Sequence, residues 1–247
     1  MLEKDLYAPV KVFFEKEGFT VKSEVKDCDV ICEKNGEFLI CELKRSLSLD
    51  LILQGTARQR LSDFVYLCVP AGKTSRSHRK QRQLYSLLRR LSLGLLLVHG
   101  SDQDACVSMA IEAKGAGLKP NTKKKQRTKQ EFVNRIGDYN IGGSHQTKIV
   151  TYYRECAILL AALLSENGGA MSPKDLVDLG AEKNAGTMLR NNRYGWFLHV
   201  SRGLYSLSDE GKTALSGYAE IAEVLIKKLQ LLKTDIDKSE GRAEEVK

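Results

Sequence analysis

Residues 28–45 read CDVICEKNGEFLICELKR. Asn35-Gly36 sits in the middle, and a two-residue hairpin turn needs positive φ at both central positions, which Asn-Gly tolerates best. Apolar, strand-forming runs flank the pair, so the stretch predicts a β-hairpin. In its second arm, Phe38-Leu39-Ile40-Cys41 runs straight into Glu42, Lys44 and Arg45 with no turn residue between. A strand that only fills a core has no reason to end this way. Alternate residues of a strand share a face. Phe38, Ile40, Glu42 and Lys44 are therefore expected on one side, the first two in the core and the last two where the strand leaves it. Pairing about the turn sets position 30 opposite position 41. Asp29 then falls within one or two residues of Glu42, along the same edge.

Two carboxylates and a lysine at one end of a sheet can do specific chemistry. Aspartate and glutamate oxygens bind a hard divalent cation, Mg2+ or Mn2+. Such an ion polarises a phosphoryl oxygen and acidifies a bound water. Lys44 could orient that water or stabilise charge in the transition state. Glu24 is a candidate third ligand, and Gln54 on the following helix could reach the site. The competing reading is an ordinary surface ion pair between Glu42 and Lys44 with Asp29 as a strand-end cap.

Working outward, Leu6, Tyr7, Val10, Phe13 and Phe14 recur at helical spacing over 4–17, with Gly18 as the stop. Strands are expected near 19–25, 28–34, 37–45, 64–70, 93–100 and 105–113, and helices over 48–62 and 75–92. This order predicts an α/β (α+β) domain over 1–113, a mixed sheet flanked by helices. Residues 114–149 open on Lys114, Lys119, Lys123, Lys124, Lys125, Arg127 and Lys129 without an acid until Glu131. They read as a basic linker or arm. From 150 the pattern changes. YYRECAILLAALLSE is a strong helix over 152–166. Ser172-Pro173-Lys174-Asp175 is a capping box that starts a second, and a third is expected over 182–191. WFLHV and GLYSL around Ser201-Arg202-Gly203 form a two-stranded ribbon. Three helices and a ribbon over 150–215 are the pattern of a winged helix-turn-helix. An amphipathic helix over 216–234 carries Ile221, Leu225, Leu229 and Leu232 in one stripe, to cap the core or pair two chains of a homo-oligomer. Residues 235–247 read as a disordered tail.

Asp29, thirteen residues to Glu42, then Leu43 and Lys44, within this strand order, resembles the PD-(D/E)XK phosphodiesterase superfamily. Cys28 stands where that motif usually has proline. LYAPVKVFFEKEGF, CDVICEKNGEFLICELK, the Gln54 helix, NIGGS and NNRYGWFLHVSRGLYSLSDEG together resemble an uncharacterised bacterial family over roughly 4–215. In that family a PD-(D/E)XK domain precedes a winged helix. The resemblance implies a restriction-endonuclease-like core and a metal-dependent nuclease, with Asp29, Glu42, Lys44 and Gln54 as catalytic residues.

Composition bears on the substrate. The 247 residues carry a net charge of +8 and 42% apolar residues, which suits a folded protein that meets a polyanion. No acid occurs between Asp63 and Asp102, where Lys73, Arg76, Arg79, Lys80, Arg82, Arg89 and Arg90 fall. Arg79, Lys80 and Arg82 are candidate phosphate contacts. Lys183, Arg190, Asn191, Asn192 and Arg193 belong to the helix that a helix-turn-helix lays in the major groove, and Arg202 to the ribbon tip. DNA is the expected partner. The alternatives are a non-catalytic DNA-binding regulator and a protein-interaction scaffold, each on a relic nuclease fold. Cys32, Cys41 and Cys68 sit in apolar runs and read as reduced packing residues. No membrane span or signal peptide is apparent, and a cytoplasmic location is expected.

Overall fold

The computed structural model describes residues 1–74, 77–100, 104–118, 121–142 and 149–244, with side chains through residue 231. Arg76, Lys119, the end of the NIGGS stretch and residues 245–247 lie outside the described residues. The chain divides into two compact units, Met1–Ile149 and Val150–Lys247.

The first unit opens on a 3-10 helix, Glu3–Leu6, that runs into α1, Tyr7–Lys16. The three expected strands follow as β1, Thr20–Val25, β2, Cys28–Lys34, and β3, Glu37–Leu43. Asn35 and Gly36 hold φ of 52° and 82°, the turn the sequence predicts. Val30 pairs with Cys41, as the spacing requires. α2, Leu49–Arg58, crosses to β4, Phe64–Pro70, and α3, His78–Arg90, crosses to β5, Gly94–His99. β6, Cys106–Ile111, closes the six-stranded sheet, whose order is β1-β2-β3-β4-β5-β6. β3, β4 and β5 are parallel and the remaining pairs antiparallel. The mixed sheet flanked by helices is thus as expected.

The period-2 alternation builds two cores, one on each face. Val30, Cys32, Leu39, Cys41 and Leu43 meet Tyr7, Val10 and Phe14 of α1 on one side. Ile31, Ile40, Val65 and Leu67 meet Leu51 and Ile52 of α2 and Leu88 of α3 on the other. Each fully buried Leu or Ile contributes roughly 1.5–3 kcal/mol to holding these layers together. Cys32, Cys41 and Cys68 are buried and unbridged, packing residues as the sequence suggests.

The stretch 114–149 departs from expectation. It is no linker. α4, Thr122–Asn134, lays its apolar side on the second core, with Phe132 buried edge-on to Phe38 at 5.4 Å between ring centroids. The chain beyond α4 is tied to the sheet. Arg135, 1% exposed, donates to the Ser23 carbonyl at 2.8 Å, and Lys22 donates to the Phe132 carbonyl at 2.6 Å. Asp138 accepts from Tyr7 Oη, from Lys11 Nζ at 2.6 Å and from Ser23 N–H at 2.9 Å. Burial would raise the Asp138 carboxyl, but these donors outweigh it and hold it below the usual range. Of the basic residues that suggested a solvated arm, Lys123, Lys124 and Arg127 are exposed on the outward side of this amphipathic helix. Phe132 is the one buried apolar anchor on α4, since Val133 is 66% exposed, and a single anchor is too little to raise a sequence signal.

In the second unit, α5, Tyr152–Glu166, is buried through its middle. α6, Pro173–Asp178, begins at the predicted capping box, with Ser172 Oγ accepting from Asp175 N–H at 3.2 Å. α7, Ala185–Asn191, is shorter than expected. β7, Phe197–Ser201, pairs antiparallel with β8, Leu204–Leu207, and Met171 bridges to Tyr205. α8, Asp209–Gly217, leads into α9, Ala219–Glu244. α9 packs along α5, and Leu225 of the predicted stripe is buried there. The backbone at 235–244 is helical where the sequence predicts disorder. The good helix formers Lys238, Glu240, Arg242, Ala243 and Glu244 make up half of the stretch, and they extend a helix already nucleated by packing.

Candidate active site

The edge where β2 begins and β3 ends is also the edge at which β4 ends, since β3 and β4 are parallel. Asp29, Glu42 and Lys44 gather there. Asp29 Oδ2 accepts the backbone N–H of Leu43 at 2.8 Å, which fixes the carboxylate beside the end of β3. Glu42 is fully buried, a rare state for an acid. Its Oε1 accepts from Arg58 Nε at 2.6 Å, and its Oε2 is buried with no hydrogen-bond partner. Arg58 also donates through Nη2 to the Asp27 carbonyl.

Lys44 departs in part from expectation. β3 stops at Leu43, so Lys44 lies outside the pleat. Its backbone N–H donates to the Cys68 carbonyl at 3.0 Å, and its ammonium sits 3.2 Å from Glu3 Oε2. Lys44 still acts electrostatically on both Asp29 and Glu42, and Glu3 acts on Asp29. The cluster thus holds three carboxylates and two cations. Sequence reading missed two members. Glu3 gives no signal at all. Arg58 lies one turn beyond Gln54 on α2, so helical spacing could have found it.

Burial and the neighbouring Asp29 push the Glu42 carboxyl up to about 7, against the pull of Arg58 and Lys44. Burial also raises Asp29, opposed by the Leu43 N–H, Lys44 and Arg58. Burial pushes the Cys28 thiol up to about 12, so it stays protonated.

Glu24 sits across from Asp29, between the pairs Ser23↔Val30 and Val25↔Cys28, with φ of 50°. Gln54 is half-buried on the α2 face that carries Arg58, and its side chain makes no hydrogen bond among the described residues. Among the described residues no group of three or more His, Cys, Asp or Glu is arranged to hold a metal ion. A carboxylate pair is nonetheless enough for Mg2+, which keeps several waters and takes one or two carboxylates plus substrate oxygens. The orphaned Glu42 Oε2 beside Asp29 fits that donor set. Gly142 lies over the site: a Cβ there would fall 2.8 Å from the Asp29 carbonyl oxygen, so only glycine lets the chain pass.

Arg79, Lys80 and Arg82 are exposed in the first turns of α3, which the chain enters after leaving β4 at this same edge. In the second unit Lys183, Arg190, Asn191 and Arg202 are exposed, and the exposed Arg193 lies 5.0 Å from the Tyr153 ring centroid. Asn192 must be withdrawn as a DNA contact. It caps α7 in the left-handed region, φ 38°, and its amide both donates to the Phe197 carbonyl and accepts the Phe197 N–H, at 2.7 and 3.1 Å.

Residues 96–214 match the family model described as "Putative PD-(D/E)XK phosphodiesterase (DUF2161)". Over that span the chain is similar to this phosphodiesterase family. The span begins inside β5 and ends in α8, so Asp29, Glu42 and Lys44 lie before it. The match covers α4, Asp138 and Gly142, of which Gly142 lies against Asp29. No curated protein and no solved structure matches the chain. No helix among the described residues is long and apolar enough to cross a membrane.

Proposed function

We propose that the protein is a metal-dependent nuclease that hydrolyses phosphodiester bonds in DNA. The observation that carries this is the buried, partly unpaired Glu42 beside Asp29 at the end of the hairpin, with Lys44 in electrostatic reach. The likeness to a phosphodiesterase family supports the same reaction class. Asp29 Oδ1 and Glu42 Oε2 would hold Mg2+ or Mn2+. When bound, the ion supplies a polarised phosphoryl oxygen and an acidified water. Glu42 must give up its proton to bind it, so affinity rises with pH. Lys44 orients the attacking water and stabilises negative charge growing on the phosphoryl oxygens. Arg58 holds Glu42 in one rotamer and balances its charge.

Residues 150–215 are read as a winged helix-turn-helix, with α7 as the groove helix and the β7–β8 ribbon as the wing. Lys183, Arg190, Asn191, Arg193 and Arg202 would then contact DNA. The test is incubation of pure protein with several DNA forms plus Mg2+ or Mn2+, against a chelator control. Metal-dependent cleavage is expected. Calorimetry should show weaker Mg2+ binding in both Asp29→Asn and Glu42→Gln. One observation favours a non-catalytic DNA-binding regulator: Arg58 already occupies Glu42 Oε1. Unchanged metal affinity in both variants would select that reading.

A further inference from the structure

The β1–β2 turn and α4 enclose a cleft of about 420 Å³, lined by Lys26, Asp27, Asn121, Lys123, Lys124, Arg127 and Thr128. Four of these are cations and one is an acid. Lys123, Lys124 and Arg127 are exposed and make no ion pair among the described residues, while Lys26 lies 3.7 Å from Glu131. The cleft opens at the N-terminus of α4, a helix of thirteen residues whose positive dipole end favours an anion. Lys123 and Arg127 share one helical face, as do Lys124 and Thr128.

One further observation points to a ligand. Thr128 is only 4% exposed, yet its hydroxyl has no hydrogen-bond partner. A helical threonine can bond the carbonyl one turn back, and this one does not. The neighbouring β1–β2 connection is an ordinary two-residue hairpin turn, closed by the pair Val25↔Cys28. Lys26 and Asp27 hold φ of 48° and 64°, the left-handed geometry in which glycine and asparagine are favoured.

The cleft adjoins the candidate active site. Asp27 precedes Asp29 by two residues, so their Cα atoms are at most about 7 Å apart. The Asp27 carbonyl accepts from Arg58, which in turn holds Glu42. We propose that this cleft binds a backbone phosphate of the nucleic-acid strand held at Asp29 and Glu42, so that α4 sets the strand's register on the carboxylate pair. This rests on the nuclease reading for the identity of the strand. Lys123, Lys124 and Arg127 supply charge, and the Thr128 hydroxyl donates to a phosphate oxygen.

The test uses the full chain, a fluorescent 30-base-pair duplex and chelator, so that binding is read without cleavage. Lys123→Glu/Lys124→Glu/Arg127→Glu is compared with a matched reversal of three other exposed lysines, Lys16, Lys212 and Lys227. The cleft variant should bind about tenfold more weakly than the matched variant, with a salt slope shallower by about 1, the loss of one phosphate contact. Thr128→Val should raise the melting temperature of the free protein, by removing an unpaired buried hydroxyl, yet weaken DNA binding about threefold. A merely structural hydroxyl would move the first and not the second. Equal affinity of the cleft and matched variants, or no DNA binding by the parent protein, overturns the proposal. A parent protein that binds DNA but does not cut with Mg2+ removes the nuclease reading and leaves the phosphate site standing.

Discussion

The two units hold their candidate functional charges differently. In the first, Glu42 is fully buried, Arg58 nearly so, and Asp29 is fixed by a backbone N–H. In the second, Lys183, Arg190, Arg193 and Arg202 stand in solvent. A buried charge has a strong field and a shifted pKa, and it is costly to leave unpaired. Exposed cations are screened, individually weak, and act by number. Chemistry needs the first arrangement and the holding of a long polyanion needs the second.

The sharpest way to break this contrast is Lys44→Ala. A positioned proton-handling or charge-stabilising group contributes about 10²–10⁴-fold, so cleavage should fall by that factor while circular dichroism and DNA affinity hold. A variant that cuts at the parent rate removes Lys44 from the chemistry.

Arg58→Met comes next. It strands a buried carboxylate, and breaking one partner of a buried pair costs about 3–5 kcal/mol. Urea denaturation should show that loss, and Arg58→Met/Glu42→Gln should recover most of it. Breaking Lys212–Asp209 on the surface of the second unit should leave the denaturation midpoint unmoved.

The pH dependence follows from Glu42. Its folded pKa of about 7 lies above the unfolded value of 4.5. Between those values the folded state binds more protons, so stability is full below pH 4.5 and is lost as pH rises through 7. The drop is about 3 kcal/mol at most. Denaturation of metal-free protein across this window should show it, and Glu42→Gln should flatten it. A flat profile in the parent protein would mean that Glu42 is ionised throughout.

The smallest effect belongs to the second unit. Arg190→Glu/Arg193→Glu should weaken DNA binding at low salt and make the salt slope shallower by about 2, with Mg2+ affinity unchanged. An unchanged slope would turn 150–215 toward protein docking.

Much of the first unit was legible because its signals are local. Asn35-Gly36 fixed the register that sets Asp29 beside Glu42, and alternation separated the two cores. What stayed hidden depends on contacts far apart in sequence. Glu3 reaches Lys44 across the whole hairpin region, and Asp138 reaches Ser23 across most of the domain. Lysines on α4 masked a helix whose buried side rests mainly on Phe132. Asn192 looked like a groove contact because composition cannot tell a cap from a probe.

The clasp of residues 132–140 on Lys22 and Ser23 has a consequence for how the chain is made. β1 is an outer strand of the sheet, and a bare outer strand is a template for pairing with other chains. Its cover arrives over a hundred residues later in synthesis. Until residue 140 leaves the ribosome, the nascent hairpins present that margin to their neighbours. A chain cut after residue 113 would keep Asp29, Glu42 and Lys44 yet never close the margin, and it should collect in inclusion bodies. A chain cut at 149 should stay in solution.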